Sequence, residues 1–103
     1  MLNSILSLFG LGKKIDYKEM LKNGGVIVDV RTKGEYNSGH IKGSINIPLD
    51  QLSGNLKKFK TDQPIITCCA SGMRSGAAKN LLKSKGFANT VNGGSWYSLN
   101  NKI

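Results

Sequence analysis

Two adjacent cysteines stand before a loop whose residues are mostly small or polar. Cys69 is followed by Ala70-Ser71-Gly72-Met73-Arg74-Ser75. Small residues allow backbone N–H groups to turn inward around a sulfur atom, a helix N-terminus there favours an anion, and Arg74 adds a permanent positive charge. Together these features lower the pKa of a thiol and produce the reactive thiolate. We therefore predict that Cys69 is a catalytic nucleophile and that residues 70–75 bind the atom that it carries.

Cys68 requires a different interpretation because it continues the apolar run that precedes the loop. Most free cysteines are small buried side chains, and we expect Cys68 to be one. Adjacent cysteines rarely form a disulfide, since the geometry strains so small a ring, and they match no common zinc spacing. We expect no structural disulfide, no metal and no cofactor. Free thiols favour a reducing compartment, which predicts a cytoplasmic protein.

The elements that position this loop can be predicted from periodicity. β-Branched and apolar runs predict strands at residues 26–30, 44–47, 65–68 and 90–91. Helix signals begin at Asp16 and Glu19, recur where Leu52, Leu56 and Phe59 share a face, and extend over 75–85 with Ala77, Ala78, Leu81 and Leu82 on the apolar side. This alternation predicts an α/β fold, a small parallel β-sheet with helices on both faces. Sites in such sheets form at the carboxyl ends of strands, which selects the loops after Val30 and Cys68.

The motifs, taken in order, resemble those of the rhodanese family from about residue 15 to residue 96. They are Asp29-Val30-Arg31, Glu35-Tyr36, the run from Gly39 to Pro48, Cys69-x-x-Gly72-x-Arg74-Ser75, Gly86-Phe87, and Gly93-Gly94 with Trp96. The resemblance implies a rhodanese-like fold and a sulfurtransferase of the thiosulfate:cyanide class. It implies that Cys69 takes a sulfane sulfur from a donor such as thiosulfate, becomes a persulfide, and passes the sulfur to an acceptor such as cyanide or a thiol.

Two residues near the end of the first predicted strand are assigned supporting roles. Asp29 is interpreted as a group that orients Arg74 or the loop amides, rather than as an acid or base. For Arg31, two roles stay open: it helps to hold a donor anion, or it forms a surface ion pair with Glu35. The single histidine, His40, is a potential general base by residue type, but in the resembling family its segment is mainly structural.

The charge balance bears on partners. The chain has 15 Lys+Arg against 6 Asp+Glu, a formal net charge of +9 at pH 7. Nucleic-acid readers concentrate arginine beside aromatic residues, whereas Arg31 and Arg74 are the only arginines here and the lysines are scattered. We expect no nucleic-acid partner. The lysines form either an ordinary solvated surface or a field that steers a small anion or an acidic protein partner to the site.

Two other functions compete with an enzyme that turns over small sulfur donors. Cysteine-dependent phosphatases and arsenate reductases on a similar fold hold a larger oxyanion in a loop one residue longer. Because four residues separate Cys69 from Arg74, we predict no phosphatase activity. The other alternative is a sulfur-carrier or partner-docking rhodanese module with little turnover of small donors.

The chain is predicted to consist of a short apolar segment, residues 1–12, and a single domain, residues 13–103. The segment is too short to span a bilayer, so we expect no membrane span. If it is helical, Leu2, Ile5, Leu6 and Phe9 share one face, which either packs on the domain or attaches loosely to a membrane or a partner.

Overall fold

The computed structural model describes residues 15–103, which form a four-stranded parallel sheet with helices on both faces. The strands are β1 (Val26–Asp29), β2 (Ile45–Asn46), β3 (Ile65–Cys69) and β4 (Thr90–Ser95), in the order β2-β1-β3-β4. The helices are α1 (Tyr17–Lys22), α2 (Lys33–Asn37), α3 (Met73–Ser84) and α4 (Trp96–Asn100), and a 3₁₀ segment spans Leu49–Lys58. The predicted α/β fold is confirmed. The predictions about residues 1–12 lie outside the described residues.

The two cysteines face opposite sides of the sheet because successive side chains of a strand alternate. Cys69 belongs to the core beneath α3 and the 3₁₀ segment, together with Leu52 and Leu82. Cys68 belongs to the core beneath α1 and α4, together with Leu99. The interpretation of Cys68 as a small buried side chain is therefore confirmed.

Helix α3 begins two residues earlier than expected, at Met73, and places its first turn against the end of β3. The Thr67 hydroxyl of β3 donates a hydrogen bond of 2.7 Å to the Ser75 carbonyl oxygen, which fixes this turn. Ala78 is buried as expected, but Ala77 is exposed. Placing Ala77 on the buried face was therefore wrong, since the apolar stripe of this helix is narrower than the sequence pattern predicted.

A register shift between β3 and β4 shapes the sheet edge where the loop begins. Thr67 pairs with Asn92, whereas Cys69 pairs with Ser95, so β4 carries one extra residue. The close approach requires a glycine at position 93, because a Cβ there would lie within 2.8 Å of the Ile66 side chain and 2.9 Å of the Thr67 carbonyl oxygen. Beside this shift, Gly94 lies close to Gly72 of the cysteine loop.

Helices α2 and α4 were not predicted from the sequence, although both begin with side-chain caps. Thr32 and Glu35 form a reciprocal capping box at α2, and the Ser95 hydroxyl caps α4. No helix within residues 15–103 is long and apolar enough to cross a membrane.

Candidate active site

The sulfur of Cys69 lies at the carboxyl end of β3 and is surrounded by hydrogen-bond donors. The backbone N–H of Gly72 donates to Sγ at 3.0 Å, and that of Ser75 donates at 3.3 Å. The Ser75 hydroxyl oxygen lies 3.4 Å from Sγ. Cys69 has no exposed surface. The thiol therefore sits at the base of a closed loop of inward N–H groups.

Gly72 makes this inward turn. Its φ of +103° lies in the left-handed region that favours glycine, and it is the N-cap of α3. A Cβ at this position would also lie 3.4 Å from the Gly94 Cα. A side chain here would thus be strained by the backbone and crowded by β4, which explains a glycine next to the sulfur.

Hydrogen bonds determine the pKa of the Cys69 thiol. Burial raises it, but bonds from the Ser75 hydroxyl and from the N–H groups of Ser75, Gly72 and Ser71 outweigh burial, and the net pKa lies below its ordinary value. The sequence predicts that the Arg74 charge contributes as well. Arg74 is paired with Glu35, but its charge still interacts with that of Cys69, so it favours the thiolate alongside the loop donors.

Arg74 forms a bidentate pair with Glu35 of α2. The two N–O distances are 2.7 and 3.0 Å, and both side chains are 37% exposed. Hydrogen bonds from Arg74, followed by those within the Thr32 capping box, lower the pKa of Glu35 to about 2. This ion pair links α2 to the first turn of α3. A surface ion pair between Arg31 and Glu35, one of two expectations for Arg31, is therefore wrong.

Asp29 and Arg31 form a second, buried pair. The Asp29 carboxylate accepts from Arg31 Nε at 2.9 Å and Nη2 at 2.7 Å, and from the Arg31 backbone N–H at 3.1 Å. Arg31 also donates to the carbonyl oxygens of Glu35 and Gly39, and its guanidinium carbon lies 4.8 Å from the Trp96 ring centroid. Asp29 therefore orients Arg31 rather than Arg74 or the loop amides, which corrects that expectation. Each of the three guanidinium nitrogens of Arg31 donates to a protein group, so its contacts organise the loop after β1.

The remaining predicted loop residues do not contact the sulfur through their side chains. Ala70, Ser71 and Met73 are exposed at the mouth of the loop, with Met73 83% exposed. The Met73 N–H lies 3.5 Å from the Ser71 hydroxyl oxygen rather than facing Sγ. Thus the structure gathers the donors of Gly72 and Ser75 at the sulfur, and leaves these three residues at the entrance.

Asn92 is the residue that the sequence analysis missed. Its side-chain oxygen accepts from the Ser75 hydroxyl at 2.6 Å and from the Gly94 N–H at 2.9 Å, while its Nδ2 donates to the Gly72 carbonyl oxygen at 3.1 Å. Its position one residue before the glycine pair gave no local signal of this contact.

His40 is held by α2. Its Nδ1 lies 2.8 Å from the Tyr36 carbonyl oxygen, and its ring stacks on the Tyr36 ring at a centroid distance of 3.8 Å. These contacts agree with the structural interpretation of His40. Within residues 15–103, no cluster of three or more His, Cys, Asp or Glu side chains has the arrangement of a metal site.

The structure combines a four-stranded parallel sheet with a cysteine loop between β3 and α3, the arrangement expected of a rhodanese-like domain. The model of the rhodanese-like domain family matches residues 14–99, and the chain belongs to this family. Sulfurtransferases are among its relatives.

Three similar proteins illustrate the relationship. The chain is 32% identical to the thiosulfate sulfurtransferase PspE of Escherichia coli strain K12 over 69 residues, covering 65% of this chain and 66% of PspE. It is 37% identical to the thiosulfate:glutathione sulfurtransferase of Saccharomyces cerevisiae over 78 residues, covering 63% of this chain and 56% of that enzyme. The human single-domain sulfurtransferase TSTD1 superposes with a TM-score of 0.73 at 25% identity, covering 84% of this chain and 90% of TSTD1. Several other curated relatives are longer, and the chain spans about half their length.

Proposed function

We propose that this protein is a sulfurtransferase in which Cys69 carries a sulfane sulfur as a persulfide, taken from a donor such as thiosulfate and given to cyanide or a thiol. The observation that carries the proposal is the set of donors on Cys69 Sγ, from the N–H groups of Gly72 and Ser75. These donors favour the thiolate, which is the nucleophilic form. Burial without them would favour the neutral, unreactive thiol.

The proposed reaction has two displacements at sulfur. The Cys69 thiolate attacks the outer sulfur of thiosulfate, a new S–S bond forms, and sulfite leaves with the electron pair of the broken S–S bond. The acceptor then attacks the outer sulfur of the persulfide, and the bond to Cys69 breaks to restore the thiolate. With cyanide as acceptor the product is thiocyanate. Neither step needs an external oxidant or a cofactor, and no general base is required once the thiol has ionised.

The loop would stabilise the anionic sulfur in the way that an oxyanion hole stabilises oxygen. We assign this role to the backbone of residues 70–75, with Gly72 and Ser75 nearest the cysteine sulfur. Arg74 would act by fastening the loop to Glu35, and Asp29 with Arg31 by holding the neighbouring loop after β1. Since Cys69 has no exposed surface, a donor would reach it by displacing the exposed residues at the loop mouth.

A sulfur carrier that docks on one protein partner is the second candidate. The net charge of +9 favours an acidic partner, and the exposed Met73 offers an apolar contact beside the loop. Such a carrier would accept sulfur once at Cys69 but would release it slowly to small acceptors. For the enzyme and the carrier alike, we propose a cytoplasmic location and a single domain over residues 13–103.

Steady-state formation of thiocyanate from thiosulfate and cyanide tests the enzyme. We expect turnover by the wild type, none by Cys69→Ser, and turnover close to wild type by the matched control Cys68→Ala, whose removed thiol lies on the opposite face of the sheet. Turnover that survives in Cys69→Ser would refute the role of Cys69. Sulfur loading without turnover would favour the carrier. Hydrolysis of an aryl phosphate that is lost in Cys69→Ser would instead identify a phosphatase.

A further inference from the structure

The Ser75 hydroxyl group lies between the Cys69 sulfur, which donates to it as a thiol and can accept from it only as a thiolate, and the Asn92 side-chain oxygen, which can only accept. Its oxygen is 3.4 Å from Cys69 Sγ and 2.6 Å from Asn92 Oδ1. Ser75 has no exposed surface, so water does not replace either contact. When Cys69 is a thiol, it donates to the serine oxygen and the serine donates to Asn92. When Cys69 is a thiolate, its sulfur can only accept, and it competes with Asn92 for the hydrogen bond from the serine hydroxyl.

The orientation of the Asn92 amide is fixed by two other contacts. The Gly94 N–H lies 2.9 Å from Oδ1 and requires an acceptor there, while the Gly72 carbonyl oxygen lies 3.1 Å from Nδ2 and requires a donor. Exchanging the amide oxygen and nitrogen would set donor against donor and acceptor against acceptor. The oxygen of Asn92 must therefore face Ser75, and it can only accept.

We propose that Asn92 is a positioning residue that draws the Ser75 hydroxyl proton away from the Cys69 sulfur and so restrains formation of the thiolate. Ionisation of Cys69 turns the hydroxyl toward sulfur and breaks its bond to Asn92. In the persulfide the negative charge lies on the outer sulfur, and the hydroxyl returns to Asn92. The inference rests on the proposed function, because it concerns the sulfur that Cys69 is proposed to carry.

Other charged or titratable groups near the thiol are held constant in the test. These groups are Arg74 on α3, its partner Glu35 on α2, and Cys68, which precedes the thiol on β3. The backbone N–H groups of Gly72 and Ser75 are donors to sulfur whichever way the hydroxyl points. The comparison of variants therefore isolates one proton and its two acceptors.

A double-mutant cycle of Asn92→Leu and Ser75→Ala tests the proposal. Leucine keeps the branched shape of asparagine but cannot accept a hydrogen bond. The pKa of Cys69 is measured from the ultraviolet absorbance of the thiolate as a function of pH, with the same protein carrying Cys69→Ser subtracted to remove tyrosine ionisation. We expect Asn92→Leu to lower this pKa by about half to one pH unit, the effect of one neutral hydrogen bond. In the Ser75→Ala background the same change should leave the pKa unmoved.

A purely structural role for Asn92 predicts a different result. Loosening of the loop would weaken its N–H donors and raise the pKa of Cys69 in both backgrounds. A rise, an unchanged value, or a fall that persists without Ser75 would therefore overturn the proposal.

A measurement on the unmodified side chain keeps the proposal testable if the Asn92 variants do not fold. When the pH is varied, the NMR signals of the Asn92 side-chain amide should shift in the wild type with a midpoint at the pKa of Cys69. They should show no such transition in Cys69→Ser. Unchanged signals in the wild type would overturn the proposal. Neither readout depends on sulfur transfer: a wild type that fails to load sulfur rejects the proposed function, whereas failure of the cycle with sulfur loading intact rejects the role of Asn92 alone.

Discussion

Replacing Arg31 by methionine should destabilise the domain far more than the same replacement at Arg74. Both arginines bind a carboxylate with a shortest N–O distance of 2.7 Å, but the side chains of Arg31 and Asp29 are 5% and 0% exposed, against 37% and 37% for Arg74 and Glu35. Arg31→Met leaves the Asp29 charge buried without a partner, which costs about 3–5 kcal/mol. Against a typical domain stability of about 5–15 kcal/mol, that is a large fraction.

The expected thermal effect is correspondingly large. For a domain of this size each kcal/mol lowers Tm by about 4–8 °C, so Arg31→Met should lower Tm by about 12 °C or more. Arg74→Met should have a much smaller effect, because solvent screens an exposed pair and hydrates the carboxylate left behind. The double variant Asp29→Asn with Arg31→Met should be less destabilised than the sum of the two single variants, since neither charge is left alone.

Thermal and urea unfolding followed by circular dichroism give these differences. Fluorescence is less suited, because the single tryptophan, Trp96, stacks on Arg31 and its signal changes with the substitution. If Arg31→Met proves no more destabilising than Arg74→Met, then burial does not govern the cost of these pairs and the reasoning is wrong.

Three further predictions concern stability and its dependence on pH. Gly93→Ala forces a Cβ within 3 Å of backbone and side-chain atoms and should cost about 3 kcal/mol of unfolding free energy. Gly94→Ala should cost about 1 kcal/mol, because there only the positive φ is unfavourable for a side chain. Equal losses for the two variants in urea titrations would contradict this prediction. Hydrogen bonds from Arg74 and from the Thr32 capping box lower the pKa of folded Glu35 from 4.5 to about 2. The stability difference between wild type and Glu35→Gln should therefore be full above pH 4.5 and should disappear as the pH falls toward 2. Burial raises the pKa of Cys68 from 9.0 to about 12, so its contribution should be full below pH 9 and be lost as the pH rises toward 12, a loss that must be absent in Cys68→Ala.

Local patterns were sufficient to predict the fold and the burial of Cys68. The β-branched run before Cys68 predicted a buried strand, and alternation along that strand determines which cysteine faces which core. Helix α2 could also have been predicted, because Thr32 and Glu35 have the spacing of a capping box.

The partners of charged and polar side chains were less accessible to sequence reasoning. Glu35 contacts Arg74 across 39 positions of the chain, and this pairing depends on how α2 and α3 meet at the sheet edge. Asn92 reaches Ser75 because it lies opposite Thr67 in the sheet, beside the first turn of α3. Such contacts follow from the assembled sheet, and no local periodicity encodes them.

Intact-mass measurement after incubation with thiosulfate tests the persulfide at Cys69 most directly. We predict that the folded, reduced wild type gains the mass of one sulfur atom, that cyanide removes it, and that Cys69→Ser gains nothing. A wild type that acquires no sulfur, or a Cys69→Ser variant that acquires it equally well, would contradict the assignment of Cys69 as the sulfur-carrying residue.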